Sequence, residues 1–457
     1  MTKSVFRRRF LITATIFGTM PLVETFGSVG NRTPAEQLEQ QKGLASKIFP
    51  LRTEASKRYL INATGGAFLI QGDAAWSLIA RLSREQVLDY LDDRQRKGFN
   101  TVLVNLIEHE FTDSPPRNSY ADFPFTVAGD FSTPNERYFA HADFVIGKAA
   151  ERGFLVMLAP AYMGFGGGSE GWYREMKANG VAKLRNYGRY LAERFRRYNN
   201  ILWVHGGDFN PPELTLLKAL VAGIREVEST SLNTFHGARG TGASELLGSA
   251  EPWLQVDNIY TDSNNVVSNA LGAHGRSRKP FFLIEGRYEG IDGYDGRTVR
   301  LQAYQTLLSG GCGQVMGNWV VWQFGSGWER ALGSEGAYSM GYLRRLLEAH
   351  AWFKLVPDVA NTFLTGGIRA GEDQAVAAVA NDGSFALAYI PSPRTVSFNL
   401  SRLAGPLVRV YWFDPTNGRL FEASGSPFST SGKQALSSEH NNFAGQGDWI
   451  LVLESAK

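Results

Sequence analysis

From residue 67 to residue 353, short apolar runs alternate with longer amphipathic segments. The runs are rich in β-branched and aromatic residues, the pattern of strands buried on both faces. Eight of them predict strands: AFLIQ (67–71), TVLVNL (101–106), FLVMLAP (154–160), ILWVH (201–205), LNTFH (232–236), DNIYT (257–261), PFFLIE (280–285) and GQVMGNW (313–319). The segments between and after them space their apolar residues as helices do: 84–98, 138–153, 181–198, 213–228, 297–310 and 342–353. Such alternation builds a parallel sheet, and eight units in about 300 residues fit a (β/α)8 TIM barrel of the α/β class. The sixth unit is the least marked, because the ELLGSAEP region (245–252) before it carries little helical period. A doubly wound open sheet is the structural alternative.

The rhythm changes at about residue 356. QAVAAVAN, SFALAYIP, RTVSFNL, LVRVYWFDP and WILVLES follow one another without helices, and Asn381-Asp382-Gly383 and DPTNG (414–418) are hairpin turns. Residues 356–457 therefore predict a small antiparallel β-sandwich after a barrel spanning 57–355. Residues 31–56 are polar and helix-tolerant, a linker or an outer helix. Residues 1–30 read as a signal peptide: a basic stretch, MTKSVFRRRF, precedes a short apolar one, LITATIFGTM. RRRFL (7–11) resembles a twin-arginine export motif, with Phe6 where Ser or Thr is usual; the alternative is the general secretory route. The apolar run falls short of the ~20 residues that span a bilayer. The expectation is a bacterial protein exported to the periplasm or beyond, without stable membrane insertion.

Charge narrows the partners. The net charge is +3, and Lys3, Arg7, Arg8 and Arg9 against Glu24 already give 4 − 1 = +3 within the first 30 residues. The rest is near neutral and shows no basic patch, which excludes nucleic acid as the expected partner. The single cysteine, Cys312, rules out an intramolecular disulfide and reads as a small buried hydrophobe.

In a (β/α)8 barrel the reacting groups stand at the C-terminal ends of the strands. Those ends carry Asp73 and Trp76; Asn105, Glu108, His109 and Glu110; Tyr162; His205 and Asp208; His236 and Arg239; Tyr260 and Asp262; Glu285, Arg287 and Tyr288; and Asn318, Trp319, Trp322 and Gln323. WVHGGDFN (203–210) and FFLIEGRYEG (281–290) share one grammar: an apolar run, an acid, and glycines beside it. The glycines let the backbone turn sharply and approach a ligand closely. Strands four and seven lie roughly across the barrel from each other, so Asp208 and Glu285 would face one cleft. Two carboxylates across a cleft are what glycoside hydrolysis needs: one protonates the leaving oxygen, the other attacks or activates water on the opposite face of the ring. The expected substrate-binding groups are Asp73, Trp76, Asn105, His205, His236, Tyr260, Tyr288, Asn318, Trp322 and Gln323.

GDAAW (72–76), ILWVHGGD (201–208), TFHGARG (234–240), FFLIEGRYEG (281–290) and GGCGQVMGNWVVWQF (310–324), in that order, resemble the apiosidase-like glycoside hydrolases. FDPTNGRLFE (413–422) and WILVLE (449–454) resemble the collagen-binding-type β domain that often follows such barrels. The resemblance covers about 60–450. It implies a (β/α)8 barrel with Asp208 as acid/base and Glu285 as nucleophile, acting on a plant-type, pectic-like glycan by a retaining mechanism without a cofactor.

Bland readings stand beside these. Asp208 could cap a helix, although Asn210 is better placed before Pro211. Glu285 could be a buried partner of an arginine, and either histidine could be a satisfied core residue. Glu108-His109-Glu110 lacks metal-site spacing, so no metal is expected. GFGGGSEG (164–171) lacks the strand–GxxxxGK–helix frame of a phosphate cradle and reads as a loop over the cleft. The functional rivals are a non-catalytic glycan- or matrix-binding protein on a barrel scaffold, an inverting hydrolase using the same acids, and a different pair such as Asp73 or Asp262 with Glu285.

Overall fold

The computed structural model describes residues 47–438 and 440–456. The expected signal peptide, residues 1–30, lies outside them. Eight parallel strands form one sheet: β1 (Ile70–Ala74), β2 (Thr101–Asn105), β3 (Leu155–Ala159), β4 (Ile201–Gly206), β5 (Leu232–His236), β6 (Asp257–Tyr260), β7 (Phe281–Glu285) and β8 (Gly313–Met316). The ladder runs β5-β4-β3-β2-β1-β8-β7-β6. Its two ends meet where the Asn258 side-chain amide donates to the carbonyl of Phe235 (2.7 Å) and the Val256 N–H to that of Asn233 (3.2 Å). The sheet is thus a nearly closed barrel.

Strand alternation sorts the side chains. Ile70, Leu103, Met157, Val204, Ile284 and Val315 fill the interior as one cluster. Val102, Val104, Leu158, Trp203 and Phe235 point outward into the layer of helices. That layer comprises α1 (Arg84–Arg96), α2 (Glu136–Glu151), α3 (Tyr173–Phe195), α4 (Thr215–Val227), α5 (Val266–Arg276), α6 (Gly296–Leu308) and α7 (Glu335–Ala349). Ser83 starts α1 with a reciprocal capping box to Gln86. Helix α5 fills the gap between β6 and β7 that the sequence left empty. Its VVSNALGAHGR carries two glycines, which lower helix propensity, and Asn265 before it makes no side-chain cap.

Two segments differ from expectation in a way that matters. The first barrel strand starts at Ile70, not Ala67; residues 67–68 instead pair with Leu60–Ile61 in a short hairpin. The described part of the linker segment sends Phe49 and Leu51 into the interior cluster, next to the first residues of β3, β4 and β5. That is the end of the barrel opposite the cleft.

The C-terminal strands are β9 (Leu355–Pro357), β10 (Leu364–Gly366), β11 (Val376–Ala380), β12 (Phe385–Ile390), β13 (Thr395–Asn399), β14 (Leu407–Phe413), β15 (Leu420–Glu422), β16 (Lys433–Ser437) and β17 (Trp449–Ala456). Antiparallel sheets ordered β9-β11-β12-β17-β14-β15 and β10-β13-β16 face each other over a core that includes Phe363, Phe398, Val410 and Leu453. The sandwich is fastened to α6. Fully buried Arg300 donates from Nε to Asp448 (2.8 Å) and from Nη1 to Glu335 (2.6 Å), Tyr389 Oη donates to Asp448 (3.2 Å), and Tyr304 stacks on Tyr389 at 5.2 Å. Cys312 is buried at the base of β8, and burial pushes its thiol up to about 12.

Candidate active site

Strand β4 leaves the barrel through two glycines that no other residue could replace. Gly206 and Gly207 have φ of 91° and 124°. A Cβ on Gly206 would stand 2.5 Å from the carbonyl of His236, and one on Gly207 2.2 Å from the Tyr162 ring. The turn sets Asp208 at φ 45°, unusual for a residue with a side chain. The chain is held there on three sides. The Gly207 N–H donates to the His236 carbonyl (2.8 Å), the Asp208 N–H to His236 Nδ1 (3.2 Å), and the Gly166 N–H to the Asp208 carbonyl (3.1 Å). Tyr162 Oη then donates to the Asp208 carboxylate at 2.8 Å. The Gly-rich loop therefore touches the acid directly.

Glu285 reaches the same space through a defect in β7. Phe282 and Ile284 face the interior, so strict alternation would turn Glu285 outward. A register shift intervenes: Ile259 pairs with Leu283, but Tyr260 pairs with Glu285. This bulge brings Glu285 back to the barrel mouth beside Tyr260, as bulges at strand ends do. His236 Nε2 donates to Glu285 at 2.8 Å while its Nδ1 accepts from Asp208 N–H, so one imidazole spans both acid-bearing segments. One carboxylate oxygen each from Asp208 and Glu285 and a ring nitrogen of His236 lie within 4.8 Å of one another. Trp76 packs against Tyr162 (5.8 Å) and His236 (5.6 Å) and donates from Nε1 to Tyr288 Oη (3.0 Å).

The electrostatics follow from burial and proximity. Burial first, then the charge of Asp208, raises Glu285 above the usual carboxylate range, against hydrogen bonds from His236 and Tyr288. Burial disfavours a charged His236, but the hydrogen bond and charge of Glu285, with the charge of Asp208, outweigh it and raise the imidazole. Tyr162 is likewise raised, by burial and by Asp208. Burial of Glu285 beside Asp208 thus disfavours the charged form of the Glu285 carboxyl. The His-Asp-Glu trio also has the donors and spacing for a divalent ion.

Asp208, Glu285, Trp76, His236, Tyr260 and Tyr288 thus converge. Of the other six expected ligands, Asp73, His205 and Asn318 are turned to other partners. Asp73 lies on the outward face of β1, fully buried, with Arg94 Nε at 2.6 Å and Tyr90 Oη at 2.7 Å. The later start of β1 explains the difference, since Asp73 becomes an interior strand residue rather than a strand end. It pairs with an arginine of α1 and cannot meet substrate or partner Glu285. His205 also faces outward, bonded to Asn233 (2.9 Å) and edge-on to Trp253, and burial lowers it to about 4. Asn318 is a turn residue: its amide donates to Glu289 (3.3 Å) and its oxygen accepts from the Val320 and Val321 N–H groups. Asn105 faces the interior at the end of β2, its amide 3.2 Å from buried Glu108, whose carboxyl burial raises. Trp322 packs edge-on to Phe111 (4.9 Å); neither it nor Gln323 is hydrogen-bonded to either acid. Asp262, the other acid considered, is bound at 2.7 Å by both Arg239 and Arg287.

Tyr162 was visible as a strand-end residue, yet only the fold shows it bonded to Asp208. Gln302 carried no local signal at all. From nearly two turns into α6 its side-chain oxygen accepts the Arg287 N–H (2.6 Å) and its amide donates to the Arg287 carbonyl (3.1 Å), fixing the chain just past Glu285.

The family model described as an apiosidase-like catalytic domain matches residues 54–354. The chain belongs to the apiosidase-like family. It is accordingly a glycoside hydrolase. A second family model, "Putative collagen-binding domain of a collagenase", matches residues 356–454 of this apiosidase-like protein. Two solved structures share the fold: one described as a glycoside hydrolase, and a glycoside hydrolase family 5 protein from Bacteroides vulgatus ATCC 8482. Each is 23% identical with a TM-score of 0.77 and covers 89% of this chain, against 97% and 93% of its own length. None of the curated proteins matches the sequence.

Proposed function

We propose that this apiosidase-like hydrolase is exported and cleaves a glycosidic bond in a plant-type, pectic-like glycan by a two-step retaining mechanism. The carrying observation is the separation of the acids. One oxygen of each lies within 4.8 Å of one of the other, a close approach that suits retaining enzymes, whose carboxyl groups stand ~5–5.5 Å apart.

In the first step a Glu285 oxygen bonds to the anomeric carbon. The bond from that carbon to the leaving oxygen breaks, and Asp208 gives that oxygen its proton. In the second, Asp208 takes a proton from water, the water oxygen bonds to the anomeric carbon, and Glu285 departs as a carboxylate. His236 and Tyr288 donate to Glu285, which aims it and favours the ionised form that attacks. Tyr162 orients Asp208.

Two features support an acidic glycan and export. Arg239 and Arg287, both at 2.7 Å from Asp262, place two part-exposed guanidinium groups at the mouth, a chemistry that suits a uronate. The basic-then-apolar start of the chain has the order of a signal peptide. The rival of a non-catalytic binding protein does not account for two acids fitted with dedicated donors.

The test is release of monosaccharide from a panel of pectic polysaccharides. Asp208→Asn and Glu285→Gln should each lower turnover by roughly 10²–10⁴-fold or more. Wild-type turnover in both variants would refute the assignment.

A further inference from the structure

A second concavity opens on the side of the barrel mouth built by the loops after β2 and β3. It has a volume of about 520 Å³, within the ~300–1,000 Å³ of sites that hold small molecules. We propose that it is a subsite for a neutral sugar unit of the bound glycan. The choice of ligand rests on the hydrolase reading above; the character of the site rests on its own residues.

Its walls are apolar and aromatic. Phe123, Pro124, Phe125 and Trp172 line it, with Phe125 edge-on to Trp172 at 5.6 Å and Phe123 left 39% exposed. Flat apolar surfaces of this kind take up the C–H face of a sugar ring. The polar groups are acceptors. Glu110 and Glu175 line the cavity, and neither lysine nor arginine does. Glu175 Oε1 is engaged by His109 Nε2 at 3.2 Å, and His109 is itself held edge-on to Trp172 at 4.6 Å. Glu110 is exposed at the cavity wall, where its carboxylate is open to a donor from a ligand. A hydroxyl supplies one, whereas a carboxylate would meet two glutamates and no cation.

The cavity is joined to the catalytic centre by a short path. The Trp172 N–H donates to the Tyr162 carbonyl (2.8 Å), and Tyr162 Oη donates to Asp208. Ser169, from the Gly-rich loop that also binds the Asp208 backbone, lines the cavity as well. The mouth is therefore polarised. Arg239 and Arg287 favour an acidic unit on the β5–β7 side, and this subsite takes a neutral one on the β2–β3 side.

The test uses the full chain carrying Glu285→Gln, which prevents hydrolysis, titrated calorimetrically with galactobiose, arabinobiose, cellobiose and digalacturonate. At least one neutral disaccharide should bind. Adding Phe123→Ala, at an exposed ring, or the isosteric Glu110→Gln should weaken that binding about tenfold, the effect of one ring contact or one charge-assisted hydrogen bond. Digalacturonate binding should be indifferent to both. The assignment is overturned if no neutral disaccharide binds, if both substitutions leave binding unchanged, or if digalacturonate is the ligand they weaken. The hydrolase reading is judged separately, by the turnover of Asp208→Asn and Glu285→Gln.

Discussion

Glu285 is pulled two ways. Burial and Asp208 raise it, whereas His236 and Tyr288 hold it down. A nucleophile must be ionised, so the acid limb of the pH profile reports this balance. Tyr288→Phe removes one donor to the charged form, and the carboxyl then rises further. The acid limb of kcat/KM should move to higher pH in that variant, read from initial rates across the acid range. An unmoved limb would mean that Tyr288 contributes nothing to the state of Glu285. His236 does more than titrate: by bonding both the Asp208 backbone and the Glu285 carboxylate it fixes the distance between the acids.

At the scale of elements, β4 and β7 do unequal work. His205, one position before the β4 glycines, faces the helices, and burial lowers it to about 4 despite its bond to Asn233. An unfolded histidine takes up a proton near its ordinary value of about 6.5, and the folded one does not. Between those values acid favours the unfolded chain, and His205 costs stability as pH falls, roughly 1.4 kcal/mol per pH unit. Urea unfolding of wild type and His205→Asn from neutral pH downward should therefore show the difference in stability narrowing on acidification. Parallel curves would contradict a neutral buried imidazole. The same two strands show what the sequence can carry. The apolar runs of β2 to β8 were legible because strands buried on both faces leave long uninterrupted stretches. Which face a polar residue takes was less so. A three-residue shift in the start of β1 turned Asp73 from cleft to helix layer, and the bulge that returns Glu285 to the mouth has no sequence mark beyond Gly286. Asp208 and Glu285 were readable from the acid-beside-glycine pattern. His205 was not separable from His236, because both end a strand and only the parity of each strand distinguishes them.

Across the whole molecule the sandwich acts as a brace. Arg300 of α6 is buried with Asp448 and Glu335, and two residues along the same helix Gln302 fixes the chain after Glu285. The sandwich thus supports the helix that positions the Glu285 segment. Asp448→Ala would leave a buried guanidinium without its main partner, a change that typically costs about 3–5 kcal/mol. Urea unfolding should show a loss of that size, and a loss under about 1 kcal/mol, typical of exposed pairs, would contradict the brace. Among the described residues no helix is long and apolar enough to cross a membrane.

The central claim is that Asp208 and Glu285 act on one bond as acid/base and nucleophile. Azide rescue with an aryl glycoside of the released sugar tests it most directly, because azide replaces whichever carboxylate is missing. With Glu285→Ala, azide should restore turnover and give a glycosyl azide of inverted configuration. With Asp208→Ala it should give one of retained configuration. The reverse pairing, or no rescue in either variant, would contradict the account.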